Sequence, residues 1–258
     1  MPADILQPTP TTGTQAAPVR PQHFKRVLLK LSGEAFCRPG GFGIDVEELE
    51  VIGNELRAAM KYGAQIAVVV GGGNIIRGAE LASGGHIHQA TADQMGMLGT
   101  VINALALKEK LVALGTDCRV MSAIEIKAVA EPFIRNRALR HMEKGRIVIL
   151  AAGTGNPYFT TDTCAALRAT ELECEVLLKA TKVDGVYTAD PKKDPTATRF
   201  DDITFAEAMA RKLKIMDMTA LAMCGERKLP VLIFDFKKRG NIAAVVRGDR
   251  IGTYLHVG

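Results

Sequence analysis

Three consecutive glycines close an apolar, β-branched run in this chain: Gln65 to Val70 leads into Gly71-Gly72-Gly73-Asn74-Ile75-Ile76-Arg77-Gly78. Without Cβ atoms the main chain can approach a ligand closely, and successive N–H groups form a concavity suited to an anion. Arg77 adds a planar, permanently charged donor that matches phosphate. A Walker A loop needs Gly-Lys followed by Ser or Thr, and the dinucleotide fingerprint needs G-x-G-x-x-G. Gly73 followed by Asn74 satisfies neither. The competing explanation is a buried strand that turns through glycines for packing alone.

Four further clusters follow aliphatic runs, at the carboxyl ends of strands where open α/β sheets bind ligands. Lys30, inside Leu28-Leu29-Lys30-Leu31-Ser32-Gly33-Glu34, is a lysine in an apolar strand, which must be paired, functional or snorkelling at an edge. Gly153-Thr154-Gly155-Asn156-Pro157-Tyr158-Phe159-Thr160-Thr161-Asp162 offers hydroxyls, an amide and main-chain donors that suit a phosphate and a polar base together. Thr161 or Asp162 also fits the start of a helix as its cap. Lys179 to Tyr187 sets a stacking ring beside lysines, and Lys214-Ile215-Met216-Asp217 presents a carboxylate after an apolar pair.

The elements that must position these clusters alternate along the chain. Strands are expected at Arg26 to Leu31, Gln65 to Val70, Arg119 to Ser122, Arg146 to Ala151, Glu175 to Leu178, Leu229 to Phe234 and Ala243 to Arg247. Asp45 and Glu48 form a capping box before a helix whose apolar face is Leu49, Ile52, Leu56 and Met60, with Gly63 as its stop. A second helix carries Met95, Leu98, Ile102 and Leu105 at spacings of three and four, predicting a core-facing stripe. A third precedes Gly145, and another runs near Phe205 to Lys212. The pattern predicts an α/β fold: a mostly parallel central sheet with helices on both faces. Residues 1–24 read as a disordered tail and 25–258 as one domain.

Composition narrows the class. The chain has 258 residues, 47% of them apolar, and a net charge of +5. Its pI near 9.0 comes without long basic runs, so anionic metabolites suit it and nucleic acid is not expected. Its five cysteines are odd in number and lack C-x-x-C spacing, arguing against a disulfide framework or zinc site and for a reducing, cytoplasmic setting. Its apolar runs fall short of the roughly 20 residues a membrane helix needs.

Taken together, the Lys30 to Glu34, Gly71 to Gly78, Met95-Gly96-Met97-Leu98, Gly153 to Asp162 and Lys179 to Pro191 segments resemble the uridylate kinase branch of the amino acid kinase family. The resemblance spans roughly Lys25 to Thr253. It implies a three-layer fold whose acceptor part covers about 25–175 and whose ATP part covers about 176–258. It also implies transfer of the γ-phosphoryl group of ATP to UMP with Mg²⁺, with no side chain assigned as a direct metal ligand.

Carried over position by position, Lys30, Leu31, Ser32, Gly33, Gly73 and Arg77 would surround the transferred phosphates. UMP would lie against Gly72, Asp93 and the loop Thr154, Gly155, Asn156, Pro157, Tyr158, Phe159, Thr160 and Thr161, with Asp93 meeting the ribose. Thr181, Tyr187 and Asp190 would lie along the adenosine. Asp162 and Asp217 resemble the acidic residues that orient the lysines and the magnesium-bound phosphates, so Lys30, Arg77, Asp162 and Asp217 are the candidate catalytic set. Members are typically hexamers that GTP activates and UTP inhibits, and Arg38 to Gly43 resembles a loop that contacts neighbouring subunits and GTP. A carboxylate or carbamate kinase and a pyrimidine-sensing regulator are the rival expectations.

Overall fold

The computed structural model describes residues 20–21, 23–77, 81–82, 85–191 and 193–258. Most of the N-terminal tail and Gly78 lie outside them. Among its last residues, Phe24 is fully buried, and Arg20 donates to the carbonyls of Asp249 and Ile251.

The chain runs β1 (Arg26–Leu31), a 3-10 turn (Gly33–Phe36), α1 (Val46–Met60), β2 (Gln65–Val70), α2 (Gln89–Ala113), β3 (Cys118–Ser122), β4 (Glu131–Pro132), α3 (Arg135–Glu143) and β5 (Ile147–Ala151). There follow α4 (Thr161–Glu171), β6 (Val176–Thr181), β7 (Val186–Tyr187), β8 (Arg199–Phe200), β9 (Asp202–Thr204) and α5 (Phe205–Ala210). The last elements are α6 (Met218–Glu226), β10 (Val231–Asp235), α7 (Asn241–Arg247) and β11 (Thr253–His256). Among the described residues one sheet has the strand order β4-β3-β5-β2-β1-β6-β10-β11-β9. Its neighbours are parallel except β10 and β11.

β1 lies between β2 and β6, and its alternate residues serve two cores. Val27, Leu29 and Leu31 pack with Leu49, Ile52 and Leu56 of α1, Leu107 and Leu111 of α2, and Val245 and Val246 of α7. Leu28 packs on the opposite face with Ala165 and Ala169 of α4, Met142 of α3 and Leu221 of α6. The two-residue period of a strand therefore turns Lys30 towards the α4 face.

Three expectations need correction. Residues 243–247 are not a strand but the body of α7, flanked by Gly240 and Gly248, both with positive φ. Ile242, Val245 and Val246 have helical spacing, and the Glu55 carboxylate, reaching across from α1, accepts from the Gly240 and Ile242 amides at the helix start. The capping box on α1 is half formed: Asp45 accepts from the Glu47 and Glu48 amides, but the Glu48 carboxylate pairs instead with Lys237 at 2.6 Å.

The third correction concerns α2, which buries Met97, Val101, Ala104, Leu107 and Leu111. The expected stripe is only half turned inward: Leu105 packs against the core, while Leu98 is 48% and Ile102 46% exposed. Apolar residues run almost all round this helix, so two stripes compete at helical spacing, and the sheet selects the one that begins at Met97.

Candidate active site

β1 and β6 run in register, and Lys30 lies directly opposite Lys179. Two ammonium groups on adjacent parallel strands repel each other, so something must sit between them. Asp162, in the first turn of α4, fills that place. Its Oδ1 is 3.0 Å from Lys30 Nζ, an ion pair rather than an aligned hydrogen bond, and its Oδ2 accepts from Lys179 Nζ at 2.6 Å. Lys179 also donates to the Ile215 carbonyl at 2.5 Å. Burial holds the Lys179 ammonium below the ordinary lysine range; the Asp162 carboxylate opposes this shift and the Lys30 charge adds to it. Two cations on one carboxylate leave a net positive charge at the strand ends.

The triple glycine combines both readings of its sequence. A Cβ on Gly71 would lie 2.7 Å from the Gly33 nitrogen, and one on Gly72 would lie 2.6 Å from the Gly96 carbonyl oxygen, so these two serve close packing. A Cβ on Gly73 would meet nothing within 4 Å, so this glycine faces open space. Among the described residues no acceptor takes the N–H groups of Gly72, Gly73 or Asn74, and Gly72 and Asn74 are buried. Unpaired buried amides are costly, so these three are suited to an incoming anion. Arg77 donates weakly to the Gly73 carbonyl at 3.4 Å and pairs with Glu34 at 3.7 Å. Lys182 bonds the other oxygen of Glu34, and this hydrogen bond is the main cause that holds the Glu34 carboxyl below its ordinary range.

The loop is braced by side chains that the sequence reading missed. Asn74 and Asn103 pair reciprocally through their amides at 3.0 and 2.6 Å. Asn103 donates also to the Gly71 carbonyl, and Asn74 to the Gly43 carbonyl. Thr100, one turn before Asn103, donates to the Met97 carbonyl and accepts from the Ala152 amide. Two polar residues three apart on the buried face of an apolar helix were the available signal.

A cleft of about 340 Å³ opens beside this loop, lined by Gly72, Gly73, Asp93, Met97, Thr154, Asn156, Phe159, Thr160 and Thr161. Asp93 anchors its rim: Oδ2 accepts from the Tyr158 amide at 2.8 Å and Oδ1 from Gln89 at 2.7 Å. Tyr158 adopts a left-handed φ of 70° and its ring is largely exposed; the turn at Gly155 has φ 82°. Gly155, Pro157 and Tyr158 shape the loop without lining the cleft. Leu31 is fully buried, so only its backbone can face a ligand.

A second cleft, about 620 Å³, is lined by Asp162, Lys179, Lys212, Lys214, Met216 and Asp217 among others. The start of α4 borders both clefts: Thr160 and Thr161 line one and Asp162 the other. The helix cap is Thr160, not Thr161 or Asp162: its Oγ1 accepts from the Asp162 and Thr163 amides. Asp217 caps α6 through the Ala220 amide and accepts from the Thr160 and Thr163 hydroxyls. Burial pushes the Asp217 carboxyl up, and the hydrogen bonds from Thr160, the Ala220 amide and Thr163 outweigh it, leaving a net lowering.

Thr181, Tyr187 and Asp190 lie beyond, outside the residues that line either cleft. Thr181 donates to the Val183 carbonyl, Tyr187 to the Asp184 carboxylate, and the Asp190 carbonyl accepts from the Lys193 and Asp194 amides. The five cysteines are free and buried, and burial pushes the Cys174 and Cys224 thiols up to about 12, so they are not poised as nucleophiles.

The model of the amino acid kinase family matches residues 25–235. Among solved structures, a UMP kinase from Bacillus anthracis is 37% identical, with a TM-score of 0.88 over 91% of this chain and 97% of that one. A UMP kinase from Ureaplasma parvum is 35% identical, with a TM-score of 0.84 over 90% and 98%. A uridylate kinase from Archaeoglobus fulgidus is 25% identical, with a TM-score of 0.66 over 89% and 99%.

Proposed function

The chain belongs to the amino acid kinase family, and from that premise we propose that it is a UMP kinase, transferring the γ-phosphoryl group of ATP to UMP to give UDP and ADP in pyrimidine nucleotide biosynthesis. The observation that carries the reading is the Lys30–Asp162–Lys179 cluster at the start of α4, where Asp162 and Lys179 line one cleft and the adjoining Thr160 and Thr161 line the other. The cleft beside the glycine loop receives UMP, and the cleft bounded by Lys212 to Asp217 receives the ATP phosphates.

The acceptor is a phosphate whose second pKa is about 6, already dianionic at neutral pH, so no general base is required. The difficulty lies in bringing two polyanions together in line. Lys30 and Lys179 supply charge, the amides of Gly72, Gly73 and Asn74 supply donors that need no reorganisation, and Asp162 keeps both ammonium groups at the start of α4. Phosphate binding would draw Arg77 and Lys182 from Glu34.

Magnesium fits this donor set through the substrate. Among the described residues no group of three or more His, Cys, Asp or Glu is arranged to hold a metal, and both oxygens of Asp162 and of Asp217 already have partners. The ion would travel on the ATP phosphates, as magnesium commonly does, and neutralise charge on them.

The exposed Leu98 and Ile102 on α2 support homo-oligomeric assembly, with the hexamer of the family as the expected state. Light scattering that returns a monomer would remove that expectation. A cleft of about 520 Å³ is lined by Lys108, Arg119 and Lys127 with Glu131 opposing them, an excess of positive side chains that supports a response to the anionic effectors GTP and UTP. No described helix is long and apolar enough to cross a membrane, and the free thiols support a cytoplasmic setting.

The test is ADP release from ATP and Mg²⁺ with UMP, CMP, dUMP, acetylglutamate and aspartate offered separately. Turnover with UMP is the expected result. Turnover only with a carboxylate acceptor, or UMP binding without turnover, would overturn the assignment.

A further inference from the structure

Thr163 is almost completely buried, at 2% exposure, and lines neither cleft. Nevertheless its hydroxyl donates to Asp217 Oδ1 at 2.8 Å while Thr160 donates to Oδ2 at 2.5 Å. Because Asp217 also caps α6 through the Ala220 amide, one carboxylate joins the first turns of α4 and α6. The wall of the second cleft, residues 212–216, ends at this carboxylate, and the Ile215 carbonyl ties it to Lys179 on the sheet.

We propose that Thr163 is a positioning residue for the ATP phosphates: through Asp217 it fixes the wall that carries Lys212 and Lys214 relative to Lys179 and Asp162. This rests on the donor role given above to the second cleft. The hydroxyl is essential to the argument. Valine has nearly the same shape, but it would leave a partly buried carboxylate oxygen short of one donor, and a hydrogen bond to a charged acceptor is among the stronger ones in a protein. The carboxylate would then shift to find water or another donor, and the wall would move with it. The net lowering of the Asp217 carboxyl agrees with a group stabilised as an anion by these hydroxyls.

The test is calorimetric binding of ATP with Mg²⁺, and separately of UMP, to the full chain. Thr163→Val is expected to weaken ATP binding about tenfold while UMP binding stays within about twofold, and Thr163→Ser to restore the wild-type values. Unchanged ATP binding, or equal loss of both nucleotides, would overturn the proposal. Should Thr163→Val fail to fold, Thr163→Ala carries the same expectation, because it too removes the hydroxyl that donates to Asp217. Wild-type protein that binds ATP but does not phosphorylate UMP would overturn the acceptor assignment and leave Thr163 to be judged by the ATP measurement alone.

Discussion

Lys30→Ala is expected to lower kcat for UMP phosphorylation by about 10²- to 10³-fold, the scale on which removing one preorganised electrostatic group acts. The protein should fold and melt near the wild-type temperature. Lys30 and Lys179 are neighbours on β1 and β6 and both lean on one carboxylate, so deleting one ammonium relieves a repulsion and leaves Asp162 paired with Lys179. With Lys30 gone, one contribution to the lowered pKa of Lys179 also disappears. Stability and turnover are therefore expected to separate. A steady-state assay with a thermal melt on the same sample reads both, and a kcat within about threefold of wild type would take Lys30 out of the reacting site. Asp162→Ala makes the contrast: it leaves two ammonium groups side by side without a counter-ion, so activity and stability should fall together.

Gly33→Ala is expected to damage stability and activity at once. The added Cβ would stand 2.4 Å from the Gly73 nitrogen, 2.6 Å from Asn74 Oδ1 and 2.8 Å from the Asn74 nitrogen. Two of these are backbone atoms, and Asn74 Oδ1 belongs to a buried amide locked to Asn103 and Gly43, so no flexible side-chain end can yield. Relief requires the loop at Gly73 to move away from β1, at a cost of about 1–3 kcal/mol in unfolding free energy. The same movement turns the Gly72 to Asn74 amides off their target, so the affinity for both nucleotides should fall even at temperatures where the variant is folded. Denaturant unfolding and nucleotide titration check the two parts. Wild-type stability would mean that the two glycine loops do not touch as described.

How far the sequence reaches depends on whether local rules have a competitor. β1 and β2 end where their apolar runs end, because short, mostly aliphatic runs closed by Ser32-Gly33 and by Gly71 have little other use in a parallel sheet. The Gly71 to Arg77 and Gly153 to Asp162 segments were legible as a candidate anion site for the same reason: few structural tasks ask for that many glycines and hydroxyls at a strand end. The strand expected over residues 243–247 failed because β-branched composition and helical spacing disagreed, and a carboxylate from α1 decided between them. That contact is separated by 185 positions in the chain, beyond any local pattern. The face of α2 failed because both of its stripes are apolar.

By itself, then, the sequence determined the α/β alternation and the residue types at the strand ends, since these follow from hydrophobic period and turn chemistry. The tertiary structure decided everything that depends on which strand lies beside which. Only the parallel register of β1 and β6 sets Lys30 against Lys179, and only the packing of α4 on that face puts Asp162 between them. Only the close approach of α4 to α6 turns Asp217 from an isolated carboxylate into a bridge held by Thr160 and Thr163. Asp162 and Lys179 lie 132 and 149 positions beyond Lys30, with no local pattern linking them to it; they meet because the hydrophobic sheet and the helix packed on it place them there, and the carboxylate offsets the repulsion between the two lysines.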